Sequence, residues 1–342
     1  MVSKWRRMTV YLLFILFIAA CSNEKAGTSE GSGENETKTS AESSSEDPES
    51  SASEVLDPSA VQDQEIMNIA HRGASGSAPE ATTFAFDQAA EVENAWLEMD
   101  VQKTKDGRLV VIHDEDVKRT TNGEGEVGEF TLKELQNLDA GSWFNEENPN
   151  KADESYENAS VMTLKEVFER YGTEENYYIE TKSPELNNDM EEPLVELVEE
   201  YDLIENNSII IQSFNQDSLK TIHELNQDIP LIQLLWWEVD EETGKRKEWL
   251  DITPAPEDMT AEDYEEIRSY AAGIGPHLTF EDTEVIDEEF VQKTLDHNLL
   301  FHVYTINSED NMERLIDWGV TGIFTNYPEQ LQRVIEETEN DS

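Results

Sequence analysis

Between positions 65 and 339 of this 342-residue chain, short apolar runs alternate with longer amphipathic segments. The runs at 66–70, 96–102, 177–181, 208–212, 231–235, 272–275, 300–305 and 322–325 have the length and β-branched or aromatic content of buried strands. Helix-period patterns fill the gaps at 81–92, 163–171, 190–201, 217–226, 261–270, 288–297, 310–318 and 328–337, several of them introduced by Ser, Thr, Asp or Asn as caps. Strands that alternate with helices predict a parallel sheet, and a count of eight favours closure over an open doubly wound sheet. The expectation is an α/β fold, a single (β/α)₈ TIM barrel over residues 65–339, close in size to the ~250 residues usual for that architecture. No GxGxxG or Walker pattern follows any of the strands. One stretch breaks the rhythm: an extra extended piece at 109–112 leads into a Gly-rich, aromatic-containing segment. This predicts a small insertion after the second strand, at about 114–160, over one end of the barrel.

The N-terminal 64 residues follow different rules. Lys4, Arg6 and Arg7 precede an apolar run at 8–20, the charge order of an export signal and too short for a comfortable membrane span. Ile18-Ala-Ala-Cys21 at its end resembles a bacterial lipobox, which implies cleavage before Cys21 and diacylglyceryl attachment to its sulfur. Residues 1–20 are therefore expected to be a lipoprotein signal peptide. Cys21 is the sole cysteine, so no intramolecular disulfide can form and the fold must hold by packing. Residues 21–64 carry Ser, Glu, Gly and Thr without an aromatic side chain, too little apolar surface to repay the entropy of ordering. This acidic tether of roughly 40 residues would reach about 35 Å as a flexible coil. The expected location is the outer face of the bacterial cytoplasmic membrane, held through the lipid on Cys21. A formal charge of −53, from 77 acidic and 24 basic residues, makes nucleic acid and anionic surfaces poor partners. Nothing in the sequence calls for an obligate protein partner.

The candidate chemistry lies at strand ends, where barrel active sites gather. Glu98 and Asp100 are two apart on one predicted strand and so face the same way, and Glu180 stands near the end of the next. Three carboxylates embedded in apolar strands make an all-oxygen site suited to calcium or magnesium rather than zinc. His71 and His113 each close an apolar run, and histidine is the side chain best matched to proton transfer near neutral pH. Arg72 and Lys182, each beside one of these residues, are candidates to cradle a phosphate against so acidic a background. His223, His277, His297 and His302 are taken as structural.

The ordered motifs His71-Arg-Gly73, Pro79-Glu80, Leu97-Glu-Met-Asp-Val101, Thr104-Lys-Asp-Gly107, His113-Asp114, Arg119-Thr-Thr-Asn-Gly123, Ile179-Glu-Thr-Lys182, Ser213-Phe214 and Gly319-Val-Thr-Gly322 together resemble the glycerophosphodiester phosphodiesterase family. That resemblance implies a barrel enzyme with one divalent cation, calcium ahead of magnesium, that hydrolyses glycerophosphodiesters to glycerol 3-phosphate and an alcohol. By motif, Glu98, Asp100 and Glu180 would hold the metal, His71 and His113 would be the acid and base, and Arg72 and Lys182 would bind phosphate. Phe214 and Tyr304 are expected to pack against the glycerol moiety. Two positions depart from the family's usual pattern: Ala81 stands where Asn is common after Pro-Glu, and Tyr304 where Trp is common before the Thr of the seventh strand. Other readings of the same fold are cleavage of a glycerophosphate wall polymer or a lysophospholipid. A lipid-anchored glycerophosphodiester-binding protein is the alternative from a different class.

Overall fold

A computed structural model describes residues 66–187, 189–248 and 252–341. The signal peptide, Cys21 and the tether expected from the sequence lie outside these residues. The strands, in chain order, are β1 (Met67–Ala70), β2 (Trp96–Lys103), β3 (Leu109–Val111), β4 (Asn176–Thr181), β5 (Ile209–Ser213), β6 (Leu231–Leu235), β7 (Trp237–Val239) and β8 (Arg246–Glu248). They continue with β9 (Gly273–Pro276), β10 (Thr279–Phe280), β11 (Thr283–Glu284), β12 (Leu300–Val303) and β13 (Gly322–Thr325). Eight of them, β1, β2, β4, β5, β6, β9, β12 and β13, pair in parallel in that order, and β13 pairs back with β1 through Met67↔Gly322. The eight parallel strands thus close into a barrel.

Side-chain alternation along each strand sorts residues between two cores. On β4, Tyr177 and Ile179 join the large shell under the helices, whereas Tyr178 joins an interior cluster with Ile69, Ile210, Ile232, Leu300 and Phe324. Residues one pleat further along the inward faces are polar. The register places Asp100 beside Glu180 and Glu180 beside Gln212, so three neighbouring strands present oxygen-bearing side chains at one level above that apolar floor.

The helices form where the sequence pattern puts them, with ends set by local chemistry. The helix Leu164–Tyr171 starts on a reciprocal capping box between Thr163 and Glu166. It buries Leu164, Val167 and Phe168 on one face and stops at Gly172, whose φ of +63° suits glycine. The helix expected from 81 begins instead at Thr83, because Ala81 sits at φ +58° and cannot belong to a right-handed turn. That same conformation accounts for the asparagine common at this position, since Asn tolerates the left-handed region better than Ala.

After β2 the chain reverses into β3, antiparallel to it through Val101↔Val111. The following segment contains the short helices Leu132–Leu135 and Ser142–Glu147 and closes over its own apolar cluster of Val110, Ile112, Val117, Val127, Leu135, Ala140 and Val161. Two small hairpins, β7–β8 and β10–β11, were not among the expected elements. No helix among the described residues is long and apolar enough to cross a membrane.

Candidate active site

The turn after β1 delivers two functional side chains from consecutive residues. Arg72 and Gly73 both take positive φ, +56° and +80°. At Gly73 a Cβ would lie 2.6 Å from the Ala85 carbonyl carbon, so glycine is required by both conformation and the close approach of the helix Thr83–Ala90. The left-handed turn at Arg72 aims its backbone N–H at Glu98, donating to Oε2 at 2.8 Å.

Glu98, Asp100 and Glu180 are all buried, and each offers an oxygen within 4.8 Å of the others'. Lys182 Nζ contacts Glu180 Oε1 at 2.8 Å and Asp100 Oδ1 at 3.3 Å. Arg72 Nη1 donates to Glu80 Oε1 at 2.9 Å, and its Nε lies 3.1 Å from Asp100 Oδ2 at an angle too poor for a hydrogen bond. These contacts divide the carboxylates electrostatically. Burial pushes Asp100 upward, but Lys182 and Arg72 outweigh it and hold the carboxyl below the usual range. Burial, reinforced by Asp100, pushes Glu98 well up, and burial raises Glu180 to about 7 against the pull of Lys182. Three buried carboxylates with only two cationic partners, an Asp100 oxygen lacking a well-aligned donor and a buried Gln212 Oε1 with no hydrogen-bond partner are what a divalent cation would complete.

Both histidines are fixed through Nδ1. His71 Nδ1 is 2.8 Å from Asn326 Oδ1, so the ring donates there and leaves Nε2 unprotonated. His113 Nδ1 is 2.5 Å from Asp114 Oδ1. Burial lowers both, His71 to about 3. The backbone that carries His113 is pinned by Gln102, whose Nε2 donates to the carbonyls of Ile112, His113 and Asp114 at 3.1, 3.0 and 2.8 Å.

His71, Arg72, Glu98, His113, Glu180 and Lys182 line one cleft of about 240 Å³, with Phe214, Leu234, Trp236, Tyr304 and Phe324 forming its apolar side. Every site residue expected from the sequence within the barrel is therefore brought together, Asp100 lying against the cations at its base. Tyr304 is held by its hydroxyl, which donates to the Leu235 carbonyl at 2.8 Å, and its ring meets Phe214 edge-on at 6.1 Å. His277 and His302 are structural as expected: the first stacks on Trp236 at 4.1 Å, and the second meets the Tyr178 hydroxyl at 2.8 Å in the barrel interior. A cleft of about 380 Å³ at the other end of the barrel, beside Leu231 and Ala272, contains His223 but gathers no comparable charges.

Sequence reasoning missed Asn326, Gln102, Gln212 and Trp236. Gln212 carries the same signal as the acids, a polar residue inside an apolar strand.

The model of the Glycerophosphoryl diester phosphodiesterase family matches residues 71–330. A glycerophosphodiester phosphodiesterase of Bacillus subtilis is 43% identical over 273 residues, 79% of this chain and 86% of that protein. The chain belongs to the glycerophosphodiester phosphodiesterase family. It is accordingly an enzyme, a phosphoric diester hydrolase, which sets aside the solute-binding reading. A Caldanaerobacter subterraneus enzyme of the same name is 36% identical over 269 residues, covering 78% of this chain and 96% of its own length. Among solved structures, an Oleispira antarctica phosphodiesterase in complex with the product sn-glycerol-3-phosphate superimposes with a TM-score of 0.62 at 26% identity, over 78% of this chain and 96% of that one.

Proposed function

We propose that this enzyme hydrolyses small glycerophosphodiesters to glycerol 3-phosphate and an alcohol, using a divalent cation held by Glu98, Asp100 and Glu180, with calcium preferred. The carrying observation is the cleft itself, about 240 Å³, where Glu98, Glu180, both histidines, Arg72 and Lys182 converge with Asp100 set against the two cations, a size that fits a small diester. The product-bound Oleispira neighbour supports the same substrate class. Calcium suits the site because it accepts irregular oxygen sets, whereas magnesium demands near-octahedral geometry.

When bound, the cation supplies positive charge for the non-bridging phosphate oxygens. Arg72 and Lys182 orient the phosphate and neutralise the charge that grows as phosphorus is attacked. His71, neutral and anchored to an amide oxygen, takes the proton of the attacking hydroxyl, from water or from the glycerol unit, on Nε2. His113, oriented by the Asp114 carboxylate at Nδ1, protonates the departing alkoxide from Nε2. Phe214, Trp236 and Tyr304 present apolar surface to the carbon skeleton of the substrate.

Cation binding should be linked to the Glu180 proton. A carboxyl raised to about 7 keeps in the folded state a proton that the unfolded chain releases near 4.5, so its contribution to stability is present at low pH and lost as pH rises through about 7. The cation competes with that proton. Calorimetric titration of calcium into chelator-treated enzyme should show affinity that climbs with pH through about 7; absence of binding, or affinity indifferent to pH over that range, would sink the assignment.

The lipobox-like Ile18-Ala-Ala-Cys21 supports a further part of the reading, an enzyme held on the outer face of the cytoplasmic membrane. Cys21→Ala is expected to move it from the membrane fraction to the soluble one. Equal partitioning of both forms would contradict the anchor.

A further inference from the structure

Arg119 opens a motif run, Arg119-Thr-Thr-Asn-Gly123, to which the mechanism above gives no task. It does not line the cleft, yet its guanidinium grips two carboxylates at once. Nε donates to Asp114 Oδ2 at 2.6 Å and Nη2 to Asp114 Oδ1 at 3.1 Å, while Nη1 and Nη2 donate to Glu80 Oε2 and Oε1 at 2.8 and 2.7 Å. Beyond these two carboxylates stand the groups that act on substrate. Asp114 holds His113 through Nδ1, and Glu80 holds Arg72 through Nη1 at 2.9 Å.

We infer that Arg119 and Glu80 form a positioning clamp that sets His113 and Arg72 relative to each other, making the segment after β3 a working part of the site. This rests on the roles proposed above for His113 and Arg72. The rest of the motif builds the support for Arg119. Thr121 Oγ1 donates to the Val117 carbonyl at 2.7 Å and accepts from the Gly123 N–H at 3.0 Å, and Asn122 Oδ1 accepts from the Asp139 N–H at 2.9 Å. Val117 itself is buried in the segment's apolar cluster, so the loop cannot drift without disturbing that core. The planar fork of arginine can serve two carboxylates in fixed directions, which the point charge of lysine cannot. Arg119 is also partly exposed, with 39% of its side chain accessible. Asp114 is likewise part-exposed, and Glu80, though largely buried, keeps Arg72 as a partner, so losing Arg119 strands no buried charge. Loss of the clamp should therefore appear in turnover rather than in the melt.

Steady-state hydrolysis of glycerophosphocholine by wild type, R119M, R119K, E80Q and E80Q/R119M tests this. The clamp predicts that R119M lowers kcat by about 10- to 100-fold, the size usual for outer partners of reacting groups, with Tm nearly unchanged. R119K should not restore activity, and E80Q/R119M should be no worse than the more damaging single change. Near-wild-type kcat in R119M, or additive losses in the double variant, would overturn the clamp. Should R119M fail to fold, R119K carries the same comparison. The His113 Nδ1–H proton resonance is a second readout, expected in wild type and lost in R119M. If wild type hydrolyses nothing, the proposed substrate fails while this resonance still decides the clamp, its persistence in R119M counting against it.

Discussion

Alanine in place of His71 or His113 is expected to lower kcat by about 10² to 10⁴, the range typical of a lost general acid or base. The fold should survive, since neither ring belongs to the apolar clusters of the barrel. The two losses should differ in kind. Asn326 offers His71 an amide oxygen and Asp114 offers His113 a carboxylate. A base is needed whatever alcohol departs, whereas an acid matters in proportion to the basicity of the leaving oxygen. A glycerophosphodiester with a p-nitrophenyl leaving group should therefore recover most of the rate in His113→Ala and little in His71→Ala. The opposite pattern would exchange the roles, and near-wild-type turnover in either variant would remove that histidine from the mechanism.

The second large effect concerns the acids, which should not behave alike. Asp100 faces both Lys182 and Arg72 in a buried setting. Asp100→Ala leaves those cations with one partner fewer, and breaking buried pairs of this kind costs about 3–5 kcal/mol. That corresponds to a fall in Tm on the order of 10 °C for a domain of this size. Glu98 is in the reverse position, since burial and the neighbouring Asp100 both oppose its charge. Glu98→Gln removes that charge at constant shape and can still accept the Arg72 N–H. In the absence of divalent ions it is expected to melt a few degrees above wild type, yet to lose the rise in Tm that calcium gives wild type. Thermal scans with chelator and with calcium read both outcomes. A Glu98→Gln enzyme that melts below wild type, or keeps its calcium response, would contradict this division.

The contrast between the two acids follows from what was legible in the chain. Glu98, Asp100 and Glu180 stood out because an ionisable residue inside an apolar strand has no solvent to face, and the period-two alternation of β2 put the first two on one side. The eight barrel strands were legible for a related reason: each is a short apolar run buried on both faces, bounded by polar capped helices. Partners were less visible. Asn326 lies 255 positions from His71, and only closure of the barrel between β1 and β13 brings them together. Arg119 and Glu80 stand in motifs, but their roles depend on a loop whose path no periodicity encodes. The hairpins β7–β8 and β10–β11 escaped because strands of two or three residues carry no measurable alternation. The early helix expected at Ala81 failed on backbone conformation, which apolar spacing does not report.

The most direct test of a cation-dependent diesterase is to follow glycerol 3-phosphate release from glycerophosphocholine, first with chelator and then with calcium or magnesium restored. Poly(glycerophosphate) and a lysophospholipid would be assayed beside it. The expected result is no release in chelator, recovery with calcium exceeding that with magnesium, and preference for the small diester. Release undiminished by chelator, or turnover confined to the polymer or the lysophospholipid, would contradict the account.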